Sequence, residues 1–455
     1  MKRCSLLFIS SVLAAQEATV IQNAMVYTAT KPAFVGSVAF TGGKITAVGE
    51  KVVVPPGARV IDGTGLHVSP GIIDSHSHIA VAGFGVNEGS VSVSSMVQIR
   101  DVLDAEDVAI YRALAGGVTT ANILHGSANA IGGNNQLIKM RWGQTAAGLL
   151  MEGGTHSIKF ALGENPKRQG NVTPQQGGGV ARYPATRMGV EDIYRQAFTE
   201  ARAYQRAIAD FKAGKTMMAP RRDLKLEPLV EVLEGKRLVH CHAYRSDEML
   251  MMMRVAEEFG FRLATFQHVQ EGYKIAKEMV QHGVAGAGFS DWWSYKMEVV
   301  DGIPYNMTIM TKKGVLTGVN SDDAGLMRRL NTEAAKSIRY GGLTEEQALA
   351  LVTINPAKQM KVDNLIGSIE PGKSADLVIW NKPPLSSYAV AQKVFIDGTL
   401  YFDRDKDMSD RGRRAAAKKA MEDLLKLEAP PEQKKGGPPG RQPGSRGPAT
   451  EEIAQ

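Results

Sequence analysis

His76 and His78 stand one residue apart in the run Pro70-Gly71-Ile72-Ile73-Asp74-Ser75-His76-Ser77-His78. Ile72 and Ile73 make the approach apolar, as expected of a strand buried on both faces. Side chains at i and i+2 of a strand point to the same side, so both imidazoles can reach one cation from a single rigid backbone. Neutral imidazole is a ligand for zinc and similar divalent metals. Two satisfied core histidines would give the same pair, and the rest of the chain decides between the readings.

Further donors stand at the ends of strand-like runs. Such runs occupy 118–124, 157–162, 237–242, 263–268 and 314–322, with helical patterns between them, as at 246–259 and 271–282. Strands alternating with helices predict parallel βαβ units. A barrel of such units gathers residues from many strand ends at one face, where these folds place their chemistry. Four separated strands that end in His or Asp (His76 and His78, His240 and His242, His268, Asp322) predict a metal site.

The motifs resemble those of the metal-dependent amidohydrolase superfamily, in its imidazolonepropionase-like and Xaa-Pro dipeptidase-like branch. The likeness runs over about 18–403. It rests on Gly71 to His78, Gly116-Gly117-Val118-Thr119-Thr120, and His242-Ala243-Tyr244-Arg245-Ser246-Asp247-Glu248. Phe266-Gln267-His268-Val269-Gln270-Glu271-Gly272, Asn320-Ser321-Asp322-Asp323 and the stretch from Gly367 to Val378 complete it. The resemblance implies an α/β fold: a TIM-type (β/α)8 barrel with a small β-sandwich built from the N- and C-terminal segments.

It also implies a ligand set and a reaction. The metal ligands would be His76, His78, Lys159, His242, His268 and Asp322, holding one or two divalent ions, zinc first among them. Lys159 would serve as a carbamate, since an ammonium cannot ligate a cation. Glu164, just past the same strand, competes with it, and the choice stays open. His242 is preferred to His240 because the family pattern makes the first His of its motif the ligand. Tyr244 stands where relatives often carry a second His. A metal-activated hydroxide would attack an amide-like or imine-like carbon, with Asp322 as general base and then acid. A single-metal deaminase or imidazolonepropionase-like ring hydrolase is the alternative, and a catalytically inactive scaffold of the same fold is the other.

Composition agrees with a large enzyme. The chain has 455 residues, 43% hydrophobic and 22% charged, and its net charge of +7 is uneven. From 406 onward eleven Lys or Arg face eight Asp or Glu. The body is therefore near balance, which gives no argument for a nucleic-acid partner; the resemblance implies a small-molecule or peptide-like substrate and leaves room for a homo-oligomer. Cys4 and Cys241 are the two cysteines, too few for a disulfide framework. Lys2 and Arg3 before the apolar stretch 6–15 predict a signal peptide at 1–17 and a periplasmic or secreted enzyme. A cytoplasmic enzyme with an N-terminal tail is the alternative. No later run is apolar enough to span a membrane.

Texture divides the remainder. Short strands with turn signals fill 18–70 and return in 358–405, flanking the barrel region 71–357. The tail 406–455 is basic, with a helix expected at 411–427 and a disordered Pro/Gly-rich end. A Gly-, Pro- and Arg-rich insertion at 165–184 opens a helical run to Lys212. It reads equally as a solvated surface loop and as a lid, with Lys167, Arg168, Arg182 and Arg187 available to clamp an anion. Arg245 and Trp292 are further expected substrate contacts, the latter as part of an aromatic wall at 290–296. No Gly-x-Ser-x-Gly elbow, phosphate loop or dinucleotide fingerprint is present.

Overall fold

The two isoleucines and the polar run behind them form a strand, Ile72–Ser77, in which every residue is buried. The computed structural model describes residues 18–81, 83, 85–168 and 182–428. The expected leader at 1–17, most of the insertion (169–181) and the end of the tail (429–455) lie outside the described residues.

Five strands precede this one: Thr19–Val26 (β1), Phe34–Thr41 (β2), Lys44–Gly49 (β3), Arg59–Asp62 (β4) and His67–Pro70 (β5). Ile72–Ser77 is β6, followed by Val118–Ile123 (β7), Ile131–Asn134 (β8), Gln136–Lys139 (β9) and Ser157–Ala161 (β10). Then come Leu238–Ala243 (β11), Thr265–His268 (β12), Ala285–Gly288 (β13) and Thr317–Val319 (β14). Leu377–Trp380 (β15), Ala391–Ile396 (β16) and Thr399–Asp403 (β17) close the series.

These strands form three sheets. β6 and β7 are parallel, and β10 to β14 form a second parallel run in sequence order. Between the runs, β8 pairs antiparallel with β10 and β9 antiparallel with β7. A parallel crossover needs a dozen or more residues, and one residue, Asn135, separates β8 from β9. The result is mixed α/β, in two hydrogen-bonded sheets rather than one continuous eight-stranded ladder. The third sheet unites the two ends of the region: β5 pairs antiparallel with β15, so strands before Pro70 and after Leu377 share one eight-stranded sheet.

Packing fixes the strand ends. Outside the β10–β14 run, helices Arg187–Lys212 and Ser246–Phe259 bury Tyr194, Phe198 and Phe259 against Phe160. Phe198 stacks on Phe261 with ring centroids 4.4 Å apart. Each such side chain contributes about 1.5–3 kcal/mol on burial. Two glycines are dictated by closeness. A Cβ on Gly71 would lie 2.0 Å from Thr119 Oγ1, and one on Gly117, at φ +87°, would lie 2.6 Å from the Trp380 ring. Gly71 therefore lets β6 run close beside β7, and Gly117 lets the start of β7 pass the tryptophan of β15.

Some boundaries differ from the sequence reading. The helix expected over 271–282 begins as a short 3-10 turn, Gly272–Lys274, and continues as Ala276–His282. The strand expected over 314–322 shortens to β14, after which the chain turns through Asp322 at φ +50°. The tail helix spans Arg404–Glu428, starting earlier than 411. Asp405 and Asp407 in its first turn suit the positive end of the helix dipole, and Asp407 pairs with Arg411 and Arg414. This helix falls in a second compact unit, from Asp405 onward. No helix among the described residues is long and apolar enough to cross a membrane.

Candidate metal centre

Alternation along β6 sends His76 and His78 to the same side, with their Nε2 atoms 3.3 Å apart. Each ring is held from behind: His78 Nδ1 lies 2.9 Å from the Leu124 carbonyl oxygen, and His76 Nδ1 lies 3.3 Å from Gln267 Oε1. Asp322 closes the group. Its Oδ1 is 3.3 Å from His76 Nε2 and 3.1 Å from His78 Nε2, and its Oδ2 is 3.9 Å from His268 Nε2. His76, His268 and Asp322 each bring a donor atom within 4.8 Å of the other two.

The turn that delivers Asp322 is tied to β6 by a buried carboxylate. Asp74 accepts from the backbone N–H groups of His76 and Ser321, at 3.1 and 3.2 Å, and from the Ser321 hydroxyl. Asp322 N in turn donates to His76 O at 3.0 Å. Burial drives the Asp74 carboxyl up to about 7, against these hydrogen bonds. His268 and Asp322 both adopt left-handed backbone, φ +73° and +50°. Non-glycine residues are uncommon there and cluster at functional sites.

The electrostatics suit a cation. Burial holds His76, His242 and His268 well below the usual histidine range, so these rings are neutral. Burial also works to raise the Asp322 carboxyl, but the His78 hydrogen bond and the neighbouring groups outweigh it and hold it at about 2. Lys159 is fully buried, its Nζ 3.2 Å from His76 Nε2, and burial pushes it down to about 8. His242 Nε2 and His268 Nδ1 are buried without a protein partner. Neutral imidazole nitrogens beside an ionised carboxylate are the donor set of a zinc-like ion, and buried polar atoms left unpaired are the exception in folded proteins. The residues present fit a divalent metal.

β11 places His242 in the same cluster. Its ring is edge-on to His268 at 4.5 Å and to Tyr244 at 4.6 Å, and its Nδ1 lies 3.0 Å from Ser127 Oγ. His240 is buried one step back along the strand, with Nδ1 3.0 Å from Gln267 Nε2. Cys241, between them, faces the other way into the apolar core, where burial pushes its thiol up.

Around the mouth, Tyr244 stacks on His268 at 5.2 Å and receives a hydrogen bond from the Tyr295 hydroxyl at 3.0 Å. Phe289 stacks on His268, and Trp292 on Phe289, giving an aromatic wall. Lys296 lies over the Tyr244 ring at 4.3 Å and is 2.8 Å from Glu298 and 3.5 Å from Glu164. Arg187 pairs with Glu248 and Glu298, at 2.5 and 2.9 Å. Arg245 is half-exposed on Asp247, and Arg182 reaches the carbonyls of Val91 and Ala128.

The structure thus brings His76, His78, His242, His268, Lys159 and Asp322 together, with His240 one step back on Gln267. Sequence reasoning missed Asp74, Ser127, Gln267 and Asn320, which surround them. The signal lay in polar residues set inside otherwise apolar strands. Gln267 directly precedes His268, and Asp74 stands two residues before His76.

Comparison with known proteins defines the class. Residues 67–401 match the model of the amidohydrolase family, and the chain belongs to that family, whose members are metal-dependent. Amidohydrolase tasK of Hapsidospora irregularis is 32% identical over 403 residues, covering 81% of this chain, which spans 40% of that longer relative. An imidazolonepropionase of Fusobacterium nucleatum subsp. nucleatum is 23% identical over 406 residues, 79% of this chain and 90% of its own. Among solved structures, an amidohydrolase from Thermotoga maritima MSB8 superposes with a TM-score of 0.78 at 35% identity. It covers 85% of this chain and 100% of its own.

Proposed function

We propose that this protein is a metal-dependent hydrolase that cleaves an amide, cyclic-amide or peptide-like carbon–nitrogen bond. The observation that carries the reading is the convergence of His76, His78, His242, His268, Lys159 and Asp322 from five strand ends, with imidazole nitrogens buried and unpartnered. A divalent cation, zinc in the first instance, would lower the pKa of a coordinated water from about 15.7 to about 7. Asp322, ionised at neutral pH, takes the proton of the attacking water and returns it to the leaving nitrogen. The aromatic wall of Phe289 and Trp292 excludes bulk water from one side. Tyr244 and the charged web of Arg187, Arg245, Glu248 and Lys296 line the approach of substrate.

The same reading covers the architecture. β6, β7 and β10 to β14 are seven parallel strands that, with the β8 and β9 pair in the remaining place, would make a (β/α)8-type barrel over 71–357, the Asp74 and Asp322 contacts joining β14 to β6. The eight-stranded mixed sheet belongs to a β-sandwich drawn from 18–70 and 358–405. The tail covers 406–455, and 1–17 is a leader that would send the enzyme to the periplasm or outside the cell.

Two versions differ in metal count. With two ions, Lys159 as its carbamate would help hold both, supplying the anion without which divalent ions a few ångströms apart repel strongly. A single-ion ring hydrolase is the second version. The grouping of His76, His268 and Asp322 around one point favours it, as does the similarity to an imidazolonepropionase.

Metal analysis of purified protein and of Lys159→Ala and Glu164→Ala decides. Two ions per chain, with one lost in Lys159→Ala and bicarbonate aiding reconstitution, supports the carbamate. One ion per chain, unchanged in Lys159→Ala, supports the ring hydrolase. Loss of metal in Glu164→Ala alone makes the glutamate the ligand. A wild-type chain that refuses zinc would be the inactive scaffold and would end the hydrolase reading.

A further inference from the structure

Beneath the imidazole cluster lies a chain of polar side chains that the reaction does not use. Gln267, Asn320 and His240 are each fully buried; Gln267 lies on β12, His240 within β11, and Asn320 just past β14. Asn320 Nδ2 donates to Gln267 Oε1 at 3.0 Å, and the same oxygen lies 3.3 Å from His76 Nδ1. On the other side of the amide, Gln267 Nε2 is 3.0 Å from His240 Nδ1. β13 gives this amide space: its Ala285-Gly286-Ala287-Gly288 run sets Ala287 beside Gln267 in register.

The network admits two polarities. In one, Gln267 Oε1 accepts from His76 Nδ1–H. In the other the amide is turned over, Nε2 donates to His76 Nδ1, and the ring proton moves to His76 Nε2. Lys159 Nζ, 3.2 Å from His76 Nε2, and Asp322 Oδ1, 3.3 Å from it, pull in opposite senses, and ligation decides: an imidazole that holds a metal must present the Nε2 lone pair to the cluster and so carries its proton on Nδ1. Gln267 Oε1 then accepts from His76, and Nε2 donates to His240.

We propose that Gln267, anchored by Asn320 and His240, is a positioning residue that holds His76 as its Nδ1–H tautomer with the Nε2 lone pair turned into the cluster. This rests on His76 being a metal ligand. The physical reason is that a ligating imidazole must present a lone pair, and the partner of its other nitrogen sets tautomer and ring orientation. His76 thus has an amide oxygen in the place that His78 fills with a backbone carbonyl, Leu124 O. The amide can be reversed, whereas the carbonyl cannot, so His76 needs the two flanking anchors.

The test reads the tautomer without metal. In 15N-histidine-labelled, metal-free protein, the His76 signals, assigned by their loss in His76→Ala, should report Nδ1 protonated and Nε2 bare. Gln267→Leu should turn His76 into a mixture or into the Nε2–H form and weaken zinc binding about 10–100-fold, measured by chelator competition. Gln267→Glu, whose carboxylate still accepts from Nδ1–H, should restore the tautomer and most of the affinity. His76 already in the Nε2–H form in metal-free wild type would overturn the proposal. So would a Gln267→Leu variant that binds zinc as wild type does. Should Gln267→Leu not fold, the wild-type measurement decides alone. A wild-type chain with the expected tautomer but no affinity for zinc would sink the metal reading and leave the hydrogen-bond assignment standing.

Discussion

Two of the buried clusters of ionisable groups among the described residues are finished to different degrees. Near β9 and the mixed sheet, Lys139 Nζ lies 2.5 Å from Asp376 and 3.2 Å from Asp397. Arg141 grips Asp397 at 2.7 and 3.1 Å and donates to the carbonyls of Gly148 and Leu150. Asp376 also accepts from Asp397 N at 2.9 Å. Every charge there has an opposite charge in reach. In the imidazole cluster, by contrast, Lys159 is hydrogen-bonded to an imidazole, and His242 Nε2 and His268 Nδ1 have no protein partner. A buried charge left unpaired is costly. The saturated cluster is explained by the fold, and the unsaturated one calls for something the chain does not itself contain.

Removing donors from the two clusters should therefore do opposite things. His78→Ala should abolish hydrolysis and reduce bound metal while leaving the thermal transition of the metal-free protein nearly unchanged. Retained metal with full turnover would erase the contrast. Asp322→Asn should keep much of the metal but lower turnover by about a hundredfold or more, the scale of general acid–base terms. Wild-type turnover in that variant would remove the proton-transfer role. Lys139→Met should leave metal content intact and lower stability by about 3–5 kcal/mol, because it strands Asp376 in the interior. Denaturant midpoints give the cost. A loss of metal there would mean that the two clusters are not independent.

The contrast also explains what was legible in advance. Side chains able to ligate a metal are of few chemical types, so His76, His78, His242, His268 and Asp322 stand out as candidates at strand ends, and the strands carrying them are apolar enough to read. Their supports are ordinary polar residues whose partners lie far along the chain: Asp74 with Ser321, Gln267 with Asn320 and His240, Ser127 with His242. No local pattern marks such pairs. Lys139 and Asp376 were invisible for the same reason, being 237 residues apart. The antiparallel excursion of β8 and β9 was missed because two four-residue strands carry almost no periodicity. Lys159 lies beside His76, as its motif position leads one to expect, yet its chemical form depends on neighbours that the sequence does not display.

The smallest expected effect, and the sharpest, concerns the carboxylate that joins the two kinds of behaviour. Asp74 is buried like Asp376, yet its partners are N–H and O–H groups near the imidazole cluster rather than a cation. Burial raises it from the usual 3.8 to about 7. A carboxyl raised on folding binds its proton more tightly in the native state than in the unfolded one. Its contribution to stability is then complete below about pH 4 and is lost as the pH climbs through about 7. The buried neutral histidines act in the other direction, since folding holds them below their unfolded value and acid destabilises them. The two trends overlap, so a wild-type profile alone does not separate them. Asp74→Asn does, because the amide keeps an acceptor for the His76 and Ser321 N–H groups and no longer titrates. Urea midpoints of metal-free wild type and Asp74→Asn should therefore diverge between about pH 4 and pH 7. The variant should gain relative to wild type as pH rises, by roughly a few kcal/mol at most. Parallel profiles across that window would mean that Asp74 stays ionised throughout, held by its three hydrogen bonds. The clamp on Asp322 would then be as permanently charged as the Lys139 cluster.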